Sequence, residues 1–213
     1  MPYSANIGES IIRTILSLML FADKSPIFSV PVARDGSLRL ASVHLNGDVK
    51  LWDLWDEGNM YANLKPHLSR RDRCGYKYQI EACTFAWQPY GYHVCAAGQS
   101  GCGAIFESEI PFNLICLLGP GHYHRICGSS YTHDGSLLIT LSYDSSCMVW
   151  SVPDYKPLHR YWHMGYDPGL LLVGGSNGHH LYGLAVAPDD LSIATICEDR
   201  PPSASFMKAS VVP

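Results

Sequence analysis

Residues 121–150 read GHYHRICGSSYTHDGSLLITLSYDSSCMVW. Two turn signals divide the stretch, Asp134-Gly135 and Asp144-Ser145. Asn, Asp and Gly tolerate the positive φ that tight hairpin turns demand. The runs after the turns, LLITLS and CMVW, are apolar and rich in β-branched residues, as strands are. Three consecutive antiparallel strands are therefore expected, closed by Trp150. His122 and His124 pose the functional question: they hold a metal or substrate, or they brace a fold.

The same plan recurs in SPIFSVPVARDGSLRLASVHLNGDVKLWDL (25–54), YQIEACTFAWQPYGYHVCAAGQSGCGAIFE (78–107) and GHHLYGLAVAPDDLSIATICEDR (178–200). From turn glycine to closing aromatic is fifteen residues in two copies, Gly91 to Phe106 and Gly135 to Trp150, and sixteen in the first, Gly36 to Trp52. Apolar residues recur at matching offsets of the inner strands: Val30 and Val32, Phe85 and Trp87, Leu184 and Val186. Strand units without helical periodicity, repeated every ~44–55 residues, point to a propeller or similar radial repeat.

The third copy resembles a WD40 repeat: Gly121-His122, Asp134-Gly135, Ser142-x-Asp144, then Trp150, while the first copy ends in Trp52-Asp53. The resemblance spans about residues 25–200. It implies an all-β, WD40-type β-propeller of four blade-like units, near 23–54, 78–110, 121–152 and 178–200, forming an open propeller or a fragment of a longer one. Residues 1–22 would contribute the outer strand of a preceding blade and 201–213 a loose tail, since Pro201-Pro202 falls where an outer strand should run. In that family a His, a Ser, an Asp and a Trp form a hydrogen-bonded tetrad, which the resemblance places at His122, Ser142, Asp144 and Trp150. Buried polar groups satisfied in this way brace neighbouring strands. The first copy has His44 and Asn46 at the Ser and Asp offsets, and the second has Phe106 for Trp, so those units are expected to rely on packing.

Composition narrows the functional classes. The chain has 213 residues, 47% of them hydrophobic, enough for a real core. Its net charge of −4 argues against the whole chain wrapping nucleic acid. The apolar run at 11–22 includes Arg13 and is shorter than the roughly twenty residues of a membrane span, and no Lys or Arg precedes it as in a secretion signal. Eight cysteines without a C-x-x-C pair read as reduced thiols of an intracellular protein, cytoplasmic or nuclear. They supply no zinc ligand set, and no nucleophile, base and partner stand at catalytic spacing, so the expectation is a non-enzyme without metal, cofactor or small-molecule substrate.

Function then falls to the segments between copies. KPHLSRRDRCGYKY, 65–78, carries Lys65, Arg70, Arg71, Arg73 and Lys77 against Asp72, a net of +4 that leaves −8 on the rest of the chain. With Tyr76 and Tyr78 interleaved, this loop could neutralise phosphates and stack bases of single-stranded RNA. The segment 152–178 gathers Tyr155, Arg160, Tyr161, Trp162 and Tyr166, residue types that dominate protein interface hot spots; read equally well, they finish the blade's outer strand and cover its edge. The favoured expectation is a scaffold for protein partners in a multi-subunit complex. RNA binding through 65–78 is the alternative. A narrower resemblance, in the order of GQSG, HYHRICGSSY, LLITLSYDSSCMVW and HHLYGLAVAPDDLSIAT, is to late blades of large tandem-propeller WD-repeat proteins of small nuclear ribonucleoprotein assembly.

Overall fold

The computed structural model describes residues 25–55, 59–64, 69–71, 77–90, 92–119, 121–162, 181–197 and 207–208. They form four successive antiparallel meanders. The first is β1 (Ile27–Ser29), β2 (Arg39–His44), β3 (Val49–Asp53) and β4 (Asn59–Asn63). A two-stranded hairpin follows, β5 (Ser69–Arg71) with β6 (Lys77–Gln79). The second meander is β7 (Ala82–Trp87), β8 (His93–Gly98), β9 (Gly103–Glu107) and β10 (Leu114–Leu118). The third is β11 (Ile126–Tyr131), β12 (Leu137–Ser142), β13 (Ser146–Ser151) and β14 (Pro157–Trp162). The last has three strands, β15 (Leu181–Val186), β16 (Ser192–Cys197) and β17 (Met207–Lys208).

Each meander is a propeller blade with strands a to d running outward, and the alternation of its side chains shows why blades stack. In blade 2, Val94, Ala96, Ala104 and Phe106 pack with Ala41, Val43, Val49 and Leu51 of blade 1. The intervening residues Cys95, Ala97 and Ile105 pack with Leu138, Met148 and Trp150 of blade 3. Blade 3 repeats the arrangement, since Ile139, Leu141, Cys147 and Val149 turn to Leu184, Val186 and Ile193 of blade 4. A middle strand buried on both faces has no polar side to spare, so it reads as an unbroken apolar run rather than an alternating one. Inner strands β7 and β11 are further tied where the Thr84 and Ser129 hydroxyls meet at 2.9 Å.

The turns obey the same local chemistry in each blade. Hairpins between b and c turn through Gly47, Gly101 and Ser145, with φ of 80°, 71° and 64°. Inter-blade clamps form where a and b meet: the Asp190 carboxylate of blade 4 accepts from the His133 amide and ring at 2.7 and 2.8 Å and from the Asp134 amide at 3.0 Å. Arg34 of blade 1 donates to the other ring nitrogen of His133 at 2.9 Å, across to blade 3. Blade 1 packs on 2, 2 on 3 and 3 on 4. Among the described residues no comparable packing joins blade 4 to blade 1.

Strand d falls beyond the repeat copies: β4 lies past the first and β10 past the second, while β14 lies inside 152–178, in line with the reading of that segment as an outer strand. One expectation needs revision. Met207 and Lys208, within the segment expected as a loose tail, pair with Ile193 and Ser192 of β16. Residues 1–22 and Pro201-Pro202 lie outside the described residues.

Gly98 measures how closely blade and connection approach: a Cβ there would lie 1.6 Å from the Glu81 carbonyl oxygen. Gly98→Ala is expected to destabilise the chain by about 3 kcal/mol or more, since backbone must move. Gly36→Ala, where a Cβ meets nothing within 4 Å, should cost only the left-handed backbone penalty of ~1 kcal/mol. Urea denaturation of the two variants checks the ranking.

Candidate functional site

Antiparallel meanders put alternate connections at opposite ends. One end of the arc carries the d–a connections and b–c turns, the other the a–b and c–d turns. His122 sits in the d–a connection that enters blade 3, and the ring is buried. Its Nδ1 lies 3.1 Å from Asp144 Oδ2, and its Nε2 lies 2.9 Å from Thr140 Oγ1. The indole N–H of Trp150 donates to the same hydroxyl at 2.9 Å. With the ring neutral, one consistent chain of donors results: Trp150 to Thr140, Thr140 to His122, His122 to Asp144. Burial pushes the Asp144 carboxyl up, but bonds from His122, Ser146 and the Tyr123 amide outweigh it and hold the group at about 2. Both ring nitrogens thus face structural partners within the fold.

The hydroxyl in this network is not that of Ser142. Thr140 and Ser142 share one face of β12 because side chains repeat every second residue, but Leu138 is the residue paired with Trp150. Thr140 is its diagonal neighbour, within reach of the indole nitrogen, and Ser142 lies one step too far along the strand. Ser142 instead donates to the His124 carbonyl at 3.0 Å and accepts from the Asp144 amide at 3.1 Å. It fastens the end of the connection and the start of the turn.

Blade 1 also departs from expectation. Rather than relying on packing alone, it has Trp52 donating to Ser42 Oγ at 2.9 Å, and that hydroxyl lies 2.9 Å from His44 Nε2. The histidine comes from strand b itself instead of the connection. Blade 2 has Phe106 packed with Ala96 and Ala104, all fully or almost fully buried.

Of the residues expected at a protein interface, Tyr155 is 5% exposed, with its hydroxyl 2.7 Å from His93 Nδ1 and 3.2 Å from the Tyr131 hydroxyl. That burial removes Tyr155 from the surface and makes it a staple between blades 3 and 2. Tyr161 packs on the core between blades 3 and 4. Arg160 and Trp162, offset by one from Tyr161, fall on the other face of β14. There the Arg160 guanidinium lies 4.8 Å from the ring centre of Tyr123 and 5.2 Å from that of Trp162, and also donates to the Gly121 carbonyl. Tyr123 is 73% exposed. Sequence reasoning missed Tyr123, although its place directly after His122 puts it on the rim. Tyr166 lies outside the described residues.

The basic loop is in part a hairpin, with Arg70 paired to Tyr78 and Arg71 to Lys77 in backbone register. Lys65, Arg73 and Tyr76 lie outside the described residues. A second aromatic and arginine group stands nearer the inner strands, where Arg125 is 4.8 Å from the ring centre of Phe28 and 5.3 Å from that of Tyr143. At the opposite end a hollow of about 130 Å³ lies between Val32, Trp87 and Tyr131, well below the ~300 Å³ at which small-molecule sites begin. Burial pushes the thiols of Cys127 and Cys147 up to about 12, as suits cysteines used for packing. Among the described residues, no three His, Cys, Asp or Glu side chains group as metal ligands. No helix among them is long and apolar enough to cross a membrane.

No family model and no curated protein matches this chain. Solved structures do, among them a chain from a crystal structure of a mitotic checkpoint complex, 18% identical, with a TM-score of 0.56. The match covers 82% of this chain and 45% of that one, so this chain spans less than half its length. The likeness is one of fold. Together with the four antiparallel meanders it makes this an all-β, propeller-like arc.

Thr140→Val is expected to cost ~2–3 kcal/mol, because the Trp150 indole and His122 imidazole lose their shared partner inside the core. Ser142→Ala, which touches neither, is expected to cost ~1 kcal/mol; paired urea melts read by tryptophan fluorescence check the order. A second expectation concerns acid. The folded value of Asp144 lies below that of an ordinary carboxyl, so its contribution is complete above about pH 4 and is lost as pH falls toward about 2. Asp144→Asn should flatten the acid limb of stability in that window, measured as melting temperature against pH.

Proposed function

We propose that the chain is a non-enzymatic scaffold that engages protein partners within a multi-subunit assembly, with Tyr123, Arg160 and Trp162 as its anchor. The observation that carries this is the ordering of Arg160: two aromatic rings and the Gly121 carbonyl hold the guanidinium in place at the rim. Ordering a long side chain before binding removes part of the entropy cost that association otherwise meets, and Arg, Tyr and Trp are the types that dominate hot spots. The occurrence of a chain of like fold in a mitotic checkpoint complex supports protein partners as the class.

RNA binding is the second reading, favoured by the register that sets Arg70 beside Tyr78 and Arg71 beside Lys77 in one hairpin. That hairpin leaves blade 1 at the same end as Tyr123. The order of GQSG, HYHRICGSSY, LLITLSYDSSCMVW and HHLYGLAVAPDDLSIAT is similar to late blades of the large WD-repeat Gemin subunit of the SMN complex. On that resemblance the assembly would be one that builds small nuclear ribonucleoproteins.

Affinity capture from nuclease-treated extract separates the readings. A protein scaffold retains its partners after nuclease and loses them about tenfold in Tyr123→Ala or Arg160→Ala. An RNA module instead binds labelled single-stranded RNA with affinity that falls steeply with salt and collapses when Arg70, Arg71 and Arg73 are replaced together by Ala. Capture unchanged in both rim variants would overturn the anchor.

A further inference from the structure

The two ends of the arc differ in charge. Among the described residues the end with the a–b and c–d turns exposes Asp35, Glu107, Glu109, Asp134, Asp154 and Asp189, against Arg34 and Lys156 as exposed cations. At the opposite end, among the residues whose side chains are described, Arg125 and Arg160 lie among aromatic rings and Glu81 is exposed.

At the acidic end blade 2 shows three large side chains to solvent: Tyr90 is 81% exposed, Tyr92 74% and Ile110 68%. The Ser108 amide donates to the Tyr92 carbonyl and so holds the c–d loop that carries Ile110 against the a–b turn that carries Tyr90 and Tyr92. Carboxylates flank it on both sides. Toward blade 1, Glu109 is bonded to Arg39 at 2.7 Å yet keeps its side chain 66% exposed. Toward blade 3, Gln88 Nε2 donates to the Gly135 carbonyl at 3.2 Å, which brings the turn containing Asp134 alongside.

Tyr90 adds an independent sign. Its φ is +57°, the left-handed region that favours glycine. A bulky residue there costs on the order of 1 kcal/mol, and a ring standing in solvent recovers none of it by packing. A strained, exposed aromatic beside carboxylates suits contact with a cation, which the face of a tyrosine ring attracts. Phosphate or an acidic segment would meet repulsion at this end.

We infer that the Tyr90, Tyr92 and Ile110 surface docks a lysine- or arginine-bearing peptide segment of a protein partner, with Glu107 and Glu109 steering the cations and the rings covering their stems. This site lies at the opposite end from Tyr123 and Arg160, so either one can fail without the other.

Fluorescence anisotropy of the 213-residue chain tests it, with a labelled peptide of three Arg-Leu-Ser-Lys repeats as probe and a Glu-Leu-Ser-Glu peptide as control. The expected result is preference for the cationic peptide by more than about tenfold. Replacing Tyr90 and Tyr92 together by Ser should abolish about tenfold of the affinity with the melting temperature kept, since both rings are in solvent. Glu109→Gln should weaken binding and reduce its salt dependence. Equal binding of the two peptides overturns the inference, as does wild-type affinity in the tyrosine double variant. Loss of binding only in Arg160→Ala moves the site to the other end and overturns it too.

Discussion

Everything in this architecture follows from middle strands that have no water-facing side. Val94 and Cys95, adjacent in β8, are both fully buried, one against blade 1 and the other against blade 3. Leu138 and Ile139 in β12 repeat the pattern toward blades 2 and 4. A sheet apolar on both faces cannot be finished by one partner layer, as a sandwich is. It demands a neighbour on each side, and the twist of successive sheets turns that demand into an arc. Such stacking covers the faces of the inner strands, which is why the groups proposed here to contact a partner lie on turns, connections, strand ends or the outer strand β14.

Polar braces sit where the stacked sheets meet their connections, and three blades solve the same problem differently. Blade 3 uses a full chain from Trp150 through Thr140 and His122 to Asp144. Blade 1 shortens it to Trp52, Ser42 and His44, and blade 2 dispenses with it by placing Phe106 among alanines. These are equivalent in one respect: no indole nitrogen is left buried without an acceptor, a loss that would cost ~1–3 kcal/mol. The brace engages both nitrogens of His122 in holding a connection to a blade.

Legibility followed burial. Strands a to c were visible because turn residues and apolar runs are imposed by close packing, as at Asp134-Gly135 and LLITLS. Outer strand β4 was not, and β14 was legible only as one of two equal readings of 152–178, because strand d lies at the rim and carries exposed residues such as Met60 and Leu158 that follow no core pattern. The rim site shows the same divide. Arg160 and Trp162 could be picked out by type, but Tyr155 and Tyr161 could not be separated from them without knowing which way β14 turns its alternate residues. Tyr123, Tyr90 and Tyr92 carry no local signal at all, being single aromatics in connections.

The amino-acid order alone determined the repeat, its period and the turn positions, because local turn chemistry and strand alternation are written in neighbouring residues; the partnership of His122, Asp144 and Trp150 was implied only by the family resemblance. Tertiary structure alone decided that Thr140 and not Ser142 completes the brace, that Tyr155 is core, and that Arg160 is caged between Tyr123 and Trp162. Those outcomes depend on the diagonal offset between paired strands and on which connection crosses which edge. Such distances are set between residues 10 to 62 positions apart, and no local pattern encodes them.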